Sequence, residues 1–126
     1  MFLARELGSG DIRGRLQAAL TRPTAVVVAG GLGPLTVGVG VAHREELGDG
    51  SRLGRIDVLF VEPGGRGVGV GEAVMAGLLG WCASAGCAGV DATALPGNRE
   101  AKNFFEAAGF SARLLVMHHR MPGADD

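Results

Sequence analysis

The sequence has no tyrosine, one tryptophan and one lysine, so it offers few stacking platforms and no lysine-rich surface. Twelve basic side chains, eleven of them arginine, stand against 13 acidic ones without forming a basic stripe. Nucleic-acid binding calls for clustered cations interleaved with aromatics, so no nucleic-acid partner is expected. Only two cysteines occur, Cys82 and Cys87. They lack companion ligands, and a reduced, partly buried pair is expected in place of a zinc site or a disulfide. No apolar run approaches the ~18–20 residues of a membrane span. Met1–Leu20 intersperses charges where a secretory signal needs a continuous apolar stretch. The expectation is a cytoplasmic protein with no membrane partner.

Apolar residues make up 47% of the 126, with 20% charged, which is globular composition on the scale of one domain spanning residues 1–126. The 23 glycines, beside arginine used in place of lysine, read as compositional bias as much as design. Asp11–Leu20 places Ile12, Leu16, Ala19 and Leu20 at helical spacing. Ala25–Ala29 and Leu35–Ala42 read as a hairpin, followed by a charged loop, HREELGDGS. Arg55–Val61 is apolar on both faces apart from Arg55 and Asp57, as in a central strand. Glu72–Ala85 carries a helical stripe of Val74, Leu78, Leu79 and Trp81 or Cys82. Gly89–Leu95 is a short strand and Asn98–Ala108 a helix, with Gly109 at its left-handed cap and Phe110 as the contact beyond. SARLLVMHHRM reads as a last strand. The sum is one mixed α/β domain without repeats or linkers.

Between the central strand and the following helix lies VEPGGRGVGVGE, Val61–Glu72, with five glycines in twelve residues. Such a loop gathers unpaired backbone N–H groups and the positive end of a helix dipole at one point, which suits a phosphate or pyrophosphate. Glycine lets the anion approach and lets some amides adopt φ > 0. Taken alone, the loop leaves several nucleotides open as ligands. GxxxxGK[ST] is absent, because no lysine follows these glycines, and GxGxxG fails at Glu72.

The stretch does match R-x-x-G-x-G, as Arg66-Gly67-Val68-Gly69-Val70-Gly71, and N-x-x-A-x-x-x-[YF]-x-x-x-G-F follows as Asn98, Ala101, Phe105, Gly109 and Phe110. With these two motifs on the appropriate elements, the chain from Ala25 to Met121 resembles the GNAT superfamily of N-acetyltransferases. The resemblance implies an α+β fold, a mixed and mostly antiparallel sheet flanked by helices. It implies acetyl-CoA as acyl donor, no metal, and direct transfer to a primary amine within a ternary complex. Leu59, Phe60 and Val61 would offer main-chain partners to the pantetheine arm, and Arg66, Gly67, Val68, Gly69, Val70, Gly71 and Glu72 would cradle the pyrophosphate. Asn98 would bond the cofactor arm and Phe105 would lie near the thioester sulfur. The alternative is a GNAT-like module that binds acyl-CoA without turnover.

The chain departs from the family in two places. Phe105 stands where many members carry a tyrosine proposed as acid for the thiolate, and the family usually opens with a strand and two helices where about one helix is read here. Strand surface left bare by a shortened N-terminal part is expected to be covered by a second copy, as a homodimer.

Asp57 is placed on the strand face of Leu59 and Val61, as proton acceptor for the amine, as a substrate-orienting group, or as an ion pair with Arg55; a charge in a central strand needs some such reason. Glu62 points the other way, to solvent. His118 and His119 are expected to face opposite sides of the last strand, the inward one being a candidate base, a packing residue or a dimer contact. His43, ending a strand beside a charged loop, carries the weakest functional expectation. Asn98 is also a candidate helix N-cap, which would use its oxygen and leave its amide nitrogen free.

Overall fold

A computed structural model describes residues 17–32, 35–63, 69–94 and 97–123. Strands β1 (Ala25–Leu32), β2 (Leu35–Glu46), β3 (Arg52–Val61) and β4 (Gly89–Ala92) form one sheet in that order. The first two pairings are antiparallel and β3–β4 is parallel. Helix α1 (Val70–Ser84) makes the β3-to-β4 crossover and α2 (Arg99–Ala107) follows β4. The central position read for β3 is borne out. Of the helix read at Asp11–Leu20, residues 17–20 are helical and the rest lies outside the described residues.

Helix α1 lies on one face of the sheet because its residues Val70, Val74, Leu78 and Cys82 recur every four positions and form an apolar seam. That seam, with Met75, closes over Ala42, Ile56, Leu59 and Val61. Burying a side chain such as Leu78 stabilises by roughly 1.5–3 kcal/mol. The helix approaches unusually closely because the strands beneath it carry glycine. A Cβ on Gly40 would stand 2.7 Å from both Leu78 Cδ1 and Val74 Cγ1, and one on Gly54 2.6 Å from Cys82 Sγ. The helix returns the fit, since a Cβ on Gly77 would lie 2.8 Å from Val28 Cγ1. Part of the glycine content that reads as compositional bias is thus a packing device.

The opposite face has a smaller cluster, Ala19, Val41 and Val58 with Ala25, Val27 and Phe60 packed around it. Toward β4 this face turns polar.

Several boundaries differ from the sequence reading, with β1 reaching Leu32, β3 starting at Arg52, α1 at Val70 and β4 ending at Ala92, and two differences bear on the site. Strand β2 runs on through His43–Glu46, because those residues pair with Arg52–Arg55 across a tight turn, Glu46 meeting Arg52 at 2.8 Å. Ser111–Met121 is not a strand. Its apolar pattern is right for one, but it pairs with no strand of the described sheet, and Leu114 to Met117 stand 73 to 87% exposed. His118 and His119 are accordingly both exposed, neither facing inward.

Candidate functional site

Strand β4 accompanies β3 only from Leu53 to Ile56, its last residue Ala92 sitting opposite Ile56. From Asp57 onward β3 runs on past the end of β4 while β2 holds its other edge, Glu62 N–H donating to Val37 O at 2.7 Å. This stretch of β3, Asp57 to Val61, extends roughly 13 Å beyond the pairing with β4, at about 3.3 Å per residue. At its far end stands the N terminus of α1. Gly69, the cap residue, has φ 85° and no side-chain cap bond, so the first-turn N–H groups are not served by a capping side chain. A Cβ on Gly71 would lie 3.2 Å from the Phe104 ring and 3.6 Å from Val61 Cγ2, which ties strand end, helix start and α2 together. Arg66, Gly67 and Val68 lie outside the described residues. Glu72 is exposed; its carboxylate suits the helix dipole but opposes a bound anion, leaving its backbone N–H as the useful group.

Helix α2 starts and stops as its sequence reads. Asn98 Oδ1 accepts from Ala101 N–H at 3.1 Å, a side-chain N-cap that uses the oxygen alone. At the other end Gly109, φ 96°, lets Phe110 N–H donate to Phe105 O and Gly109 N–H to Glu106 O, both at 3.0 Å, the Schellman arrangement. The Phe105 ring is buried, 5.3 Å from Phe110 and 5.8 Å from Phe104 between centroids. It has no proton to give, and its packing role is plain.

Asp57 is where sequence and structure part. Val41 pairs with Val58 and Ala42 with Ile56, so Asp57 is the extra residue of a β-bulge. The bulge shifts the alternation by one. Leu59 and Val61 join Ile56 beneath α1, whereas Asp57 lies on the other face with Arg55, contrary to the expectation that it shares a face with Leu59 and Val61. There Asp57 Oδ2 sits 2.6 Å from His43 Nδ1. His43 Nε2 lies 3.1 Å from Glu45 Oε1, which also accepts from Arg55 Nε at 2.8 Å. Arg55 Nη1 is 3.9 Å from Asp91 Oδ2, and Arg113 forks onto the Asp91 carboxylate, its Nε donating at 2.8 Å. Arg55, the partner suggested by sequence, is engaged by Glu45 and Asp91 instead.

These contacts fix charges. The Arg55 hydrogen bond, then that of His43, holds the Glu45 carboxyl below its ordinary range, and Arg113 does the same for Asp91. Burial, reinforced by Cys87, pushes the Cys82 thiol up to about 11, so it stays protonated and inert. An imidazole held between two carboxylates can take a proton on one nitrogen and release one from the other. His43 carries only the weakest functional expectation in the sequence, because apolar alternation stops at Ala42 and leaves it at a strand end beside a loop. The cue was electrostatic: HREE and RLGR flank a five-residue turn, and opposite charges pair across an antiparallel ladder.

Among the described residues no helix is long and apolar enough to cross a membrane, and no group of three or more His, Cys, Asp and Glu is placed to hold a metal ion. The model of the family described as "Acetyltransferase (GNAT) family" matches residues 19–110. No curated protein matches the sequence significantly. Solved structures share the fold at low identity. AAC(6')-Iy, in complex with a bisubstrate analog, CoA-S-monomethyl-acetylneamine, superposes with TM-score 0.77 at 19% identity, over 90% of this chain and 80% of that one. Glucosamine-6-phosphate N-acetyltransferase from Arabidopsis thaliana gives 0.70 at 20%, over 94% and 86%. An aminoglycoside acetyltransferase from an uncultured soil metagenomic sample, in complex with sisomicin, gives 0.73 at 20%, over 86% and 72%.

Proposed function

Because the chain belongs to the GNAT acetyltransferase family, we propose that it transfers the acetyl group of acetyl-CoA to a primary amine by direct attack in a ternary complex. One observation carries the reading. A single strand, β3, has a carboxylate at a bulge where β4 ends and a glycine-capped helix N terminus at its other end.

The proposed roles follow from these positions. The N–H groups of Gly69, Val70, Gly71 and Glu72, with those of Arg66, Gly67 and Val68 in the loop, hold the pyrophosphate. The main chain of Leu59, Phe60 and Val61 runs along the pantetheine arm, and Asn98, its oxygen committed to the cap, offers its amide nitrogen. The donor supplies an activated acetyl group whose thiolate, with a pKa near that of cysteine at ~8.5, leaves without full protonation. Phe105 then has only to keep water from the thioester. Asp57 accepts the proton that the amine sheds as it attacks.

The acceptor is a small amine or a peptide amine, and the names of the structural neighbours make aminoglycosides and amino sugars the first to try. Release of free thiol from acetyl-CoA, followed over a panel of amines and peptides, tests the reading. Turnover with at least one amine is expected, and binding of acetyl-CoA without turnover on any would favour a non-catalytic module.

The exposed apolar run Leu114–Met117 supports a homodimer. Sedimentation of the intact chain at micromolar concentration is expected to give twice the chain mass, and a single mass would remove this part.

A further inference from the structure

We infer that His43 and Glu45 form a relay that carries the proton taken up at Asp57 away to solvent, His43 acting as a positioning and proton-passing residue. The inference rests on the acetyl-transfer reading and adds to it the exit route of the proton. Its basis is geometric. The bulge pushes Asp57 out of the ladder toward β2, where Oδ2 meets His43 Nδ1 at 2.6 Å. Glu45, two residues along the same strand face, meets the opposite ring nitrogen at 3.1 Å. The side chains differ in exposure, Asp57 21%, His43 13% and Glu45 38%, so the most enclosed group sits in the middle and the outer carboxylate is the one most open to water.

An amine reaches the site mostly as its ammonium form and must lose protons before and during attack. Asp57 alone would have to hold each proton as a carboxylic acid until water reached it. With His43 beside it the proton moves on: an N–H bond of the amine breaks and an O–H bond forms on Asp57, that bond breaks as Nδ1–H forms, and Nε2–H breaks toward Glu45 and solvent. One proton goes from amine to water, and no electrons change hands. Only the doubly protonated ring donates to both carboxylates at once, so the arrangement holds the transient state of the relay with both hydrogen bonds made. The charged groups facing His43 are Glu45 on its own strand, Arg55 and Asp57 on β3, and, one strand further, Asp91 with its Arg113. Arg55 fixes the Glu45 oxygen that receives the ring, and Asp91 fixes Arg55. On the β1 side the register partner of His43 is Ala25, which carries no charge.

The test compares wild type with His43→Asn, Glu45→Gln and Asp57→Asn. His43→Asn keeps a donor for Asp57 but passes no proton. It is expected to bind acetyl-CoA as wild type does, leave the acceptor KM within about twofold, and lower kcat by roughly 10- to 100-fold, up to the lower end of the usual ~10²–10⁴-fold span of a directly acting acid or base. Free imidazole in the buffer is expected to restore much of that loss, and to restore none in Asp57→Asn, which lacks the first acceptor. A purely structural histidine would show no such rescue, so an unrescued loss, or wild-type kcat and pH profile in His43→Asn, overturns the relay. A readout without turnover separates this from the acetyl-transfer reading. The ring ¹⁵N resonances of His43 are expected to shift at Nδ1 in Asp57→Asn and at Nε2 in Glu45→Gln. Resonances indifferent to both substitutions overturn the relay whatever the activity, whereas a wild type inactive on every amine, with those shifts present, counts against the acetyl-transfer reading.

Discussion

The two faces of the sheet solve opposite problems. Beneath α1 the strands are stripped of side chains at Gly38, Gly40 and Gly54, and the helix settles into the space with Val70, Val74, Leu78 and Cys82. On the other face, β2, β3 and β4 carry His43, Glu45, Arg55, Asp57 and Asp91, each engaged by a polar or charged side chain. The first face is specified by volume, where one added carbon has nowhere to go. The second is specified by hydrogen bonding, where removing one partner leaves another unsatisfied. The bulge at Asp57 joins them, because one extra residue lets the same strand place Ile56 and Leu59 under the helix and a carboxylate on the charged face. Stability and chemistry should therefore respond to different substitutions.

The largest effect is expected on the glycine face. Gly40→Val should cost about 1–3 kcal/mol in urea unfolding, toward the upper end, as overpacking of a closed core does. Gly40→Val with Leu78→Ala should cost less than the two singles together, since the new side chain enters the space left by the old. Additivity would mean that the helix does not rest on Gly40.

On the charged face the effect moves from stability to rate. Asp57→Asn is expected to lower turnover by about 10²-fold or more, while urea unfolding changes far less than in Gly40→Val. A variant that unfolds readily yet turns over normally per folded molecule would reverse the assignment of the two faces.

Asn98 is expected to serve both stability and donor binding. Asn98→Ala should cost about 1 kcal/mol through the lost cap and also weaken acetyl-CoA binding. Asn98→Asp, which caps but has no amide nitrogen, should recover stability without recovering affinity. Recovery of both would leave the residue a cap only.

The smallest effect is the pH dependence of the charged face. Glu45 and Asp91 titrate lower in the folded chain than their ordinary values of 4.5 and 3.8, so the unfolded chain takes up these protons first. Their contribution to stability is complete above those values and fades as pH falls through the lowered ones. Urea midpoints should drop with acidification in that window, and Arg113→Ala should make the drop shallower by releasing Asp91. An unchanged slope in Arg113→Ala would show that the pair is too solvated to matter.

Much of this architecture is legible in the sequence where local rules act alone. The cap at Asn98, the left-handed Gly109 and the Phe110 contact each follow from residue type and spacing, as does the four-residue seam of α1. What escapes is set by pairing across strands. Apolar alternation ends β2 at Ala42, and only the complementarity of His43–Glu46 with Arg52–Arg55 carries it further. Period-two reading places Asp57 with Leu59, because a bulge is a property of two strands and not of one. The same limit applies to Ser111–Met121, whose pattern suits a strand while it pairs with no strand of the described sheet. The glycines resist reading for another reason: their value lies in Leu78, Cys82 and Val28, residues distant in the chain.

Calorimetric titration of acetyl-CoA into the wild-type chain and into Gly69→Asp and Asp57→Asn bears most directly on a donor site at the start of α1 and a proton acceptor at the bulge. Binding in the usual range of about 1 μM to 1 mM for enzyme substrates is expected for wild type and Asp57→Asn, with loss in Gly69→Asp, whose side chain meets both a left-handed backbone and the anion. Absence of binding to wild type at about a millimolar, or undiminished binding to Gly69→Asp, would contradict it.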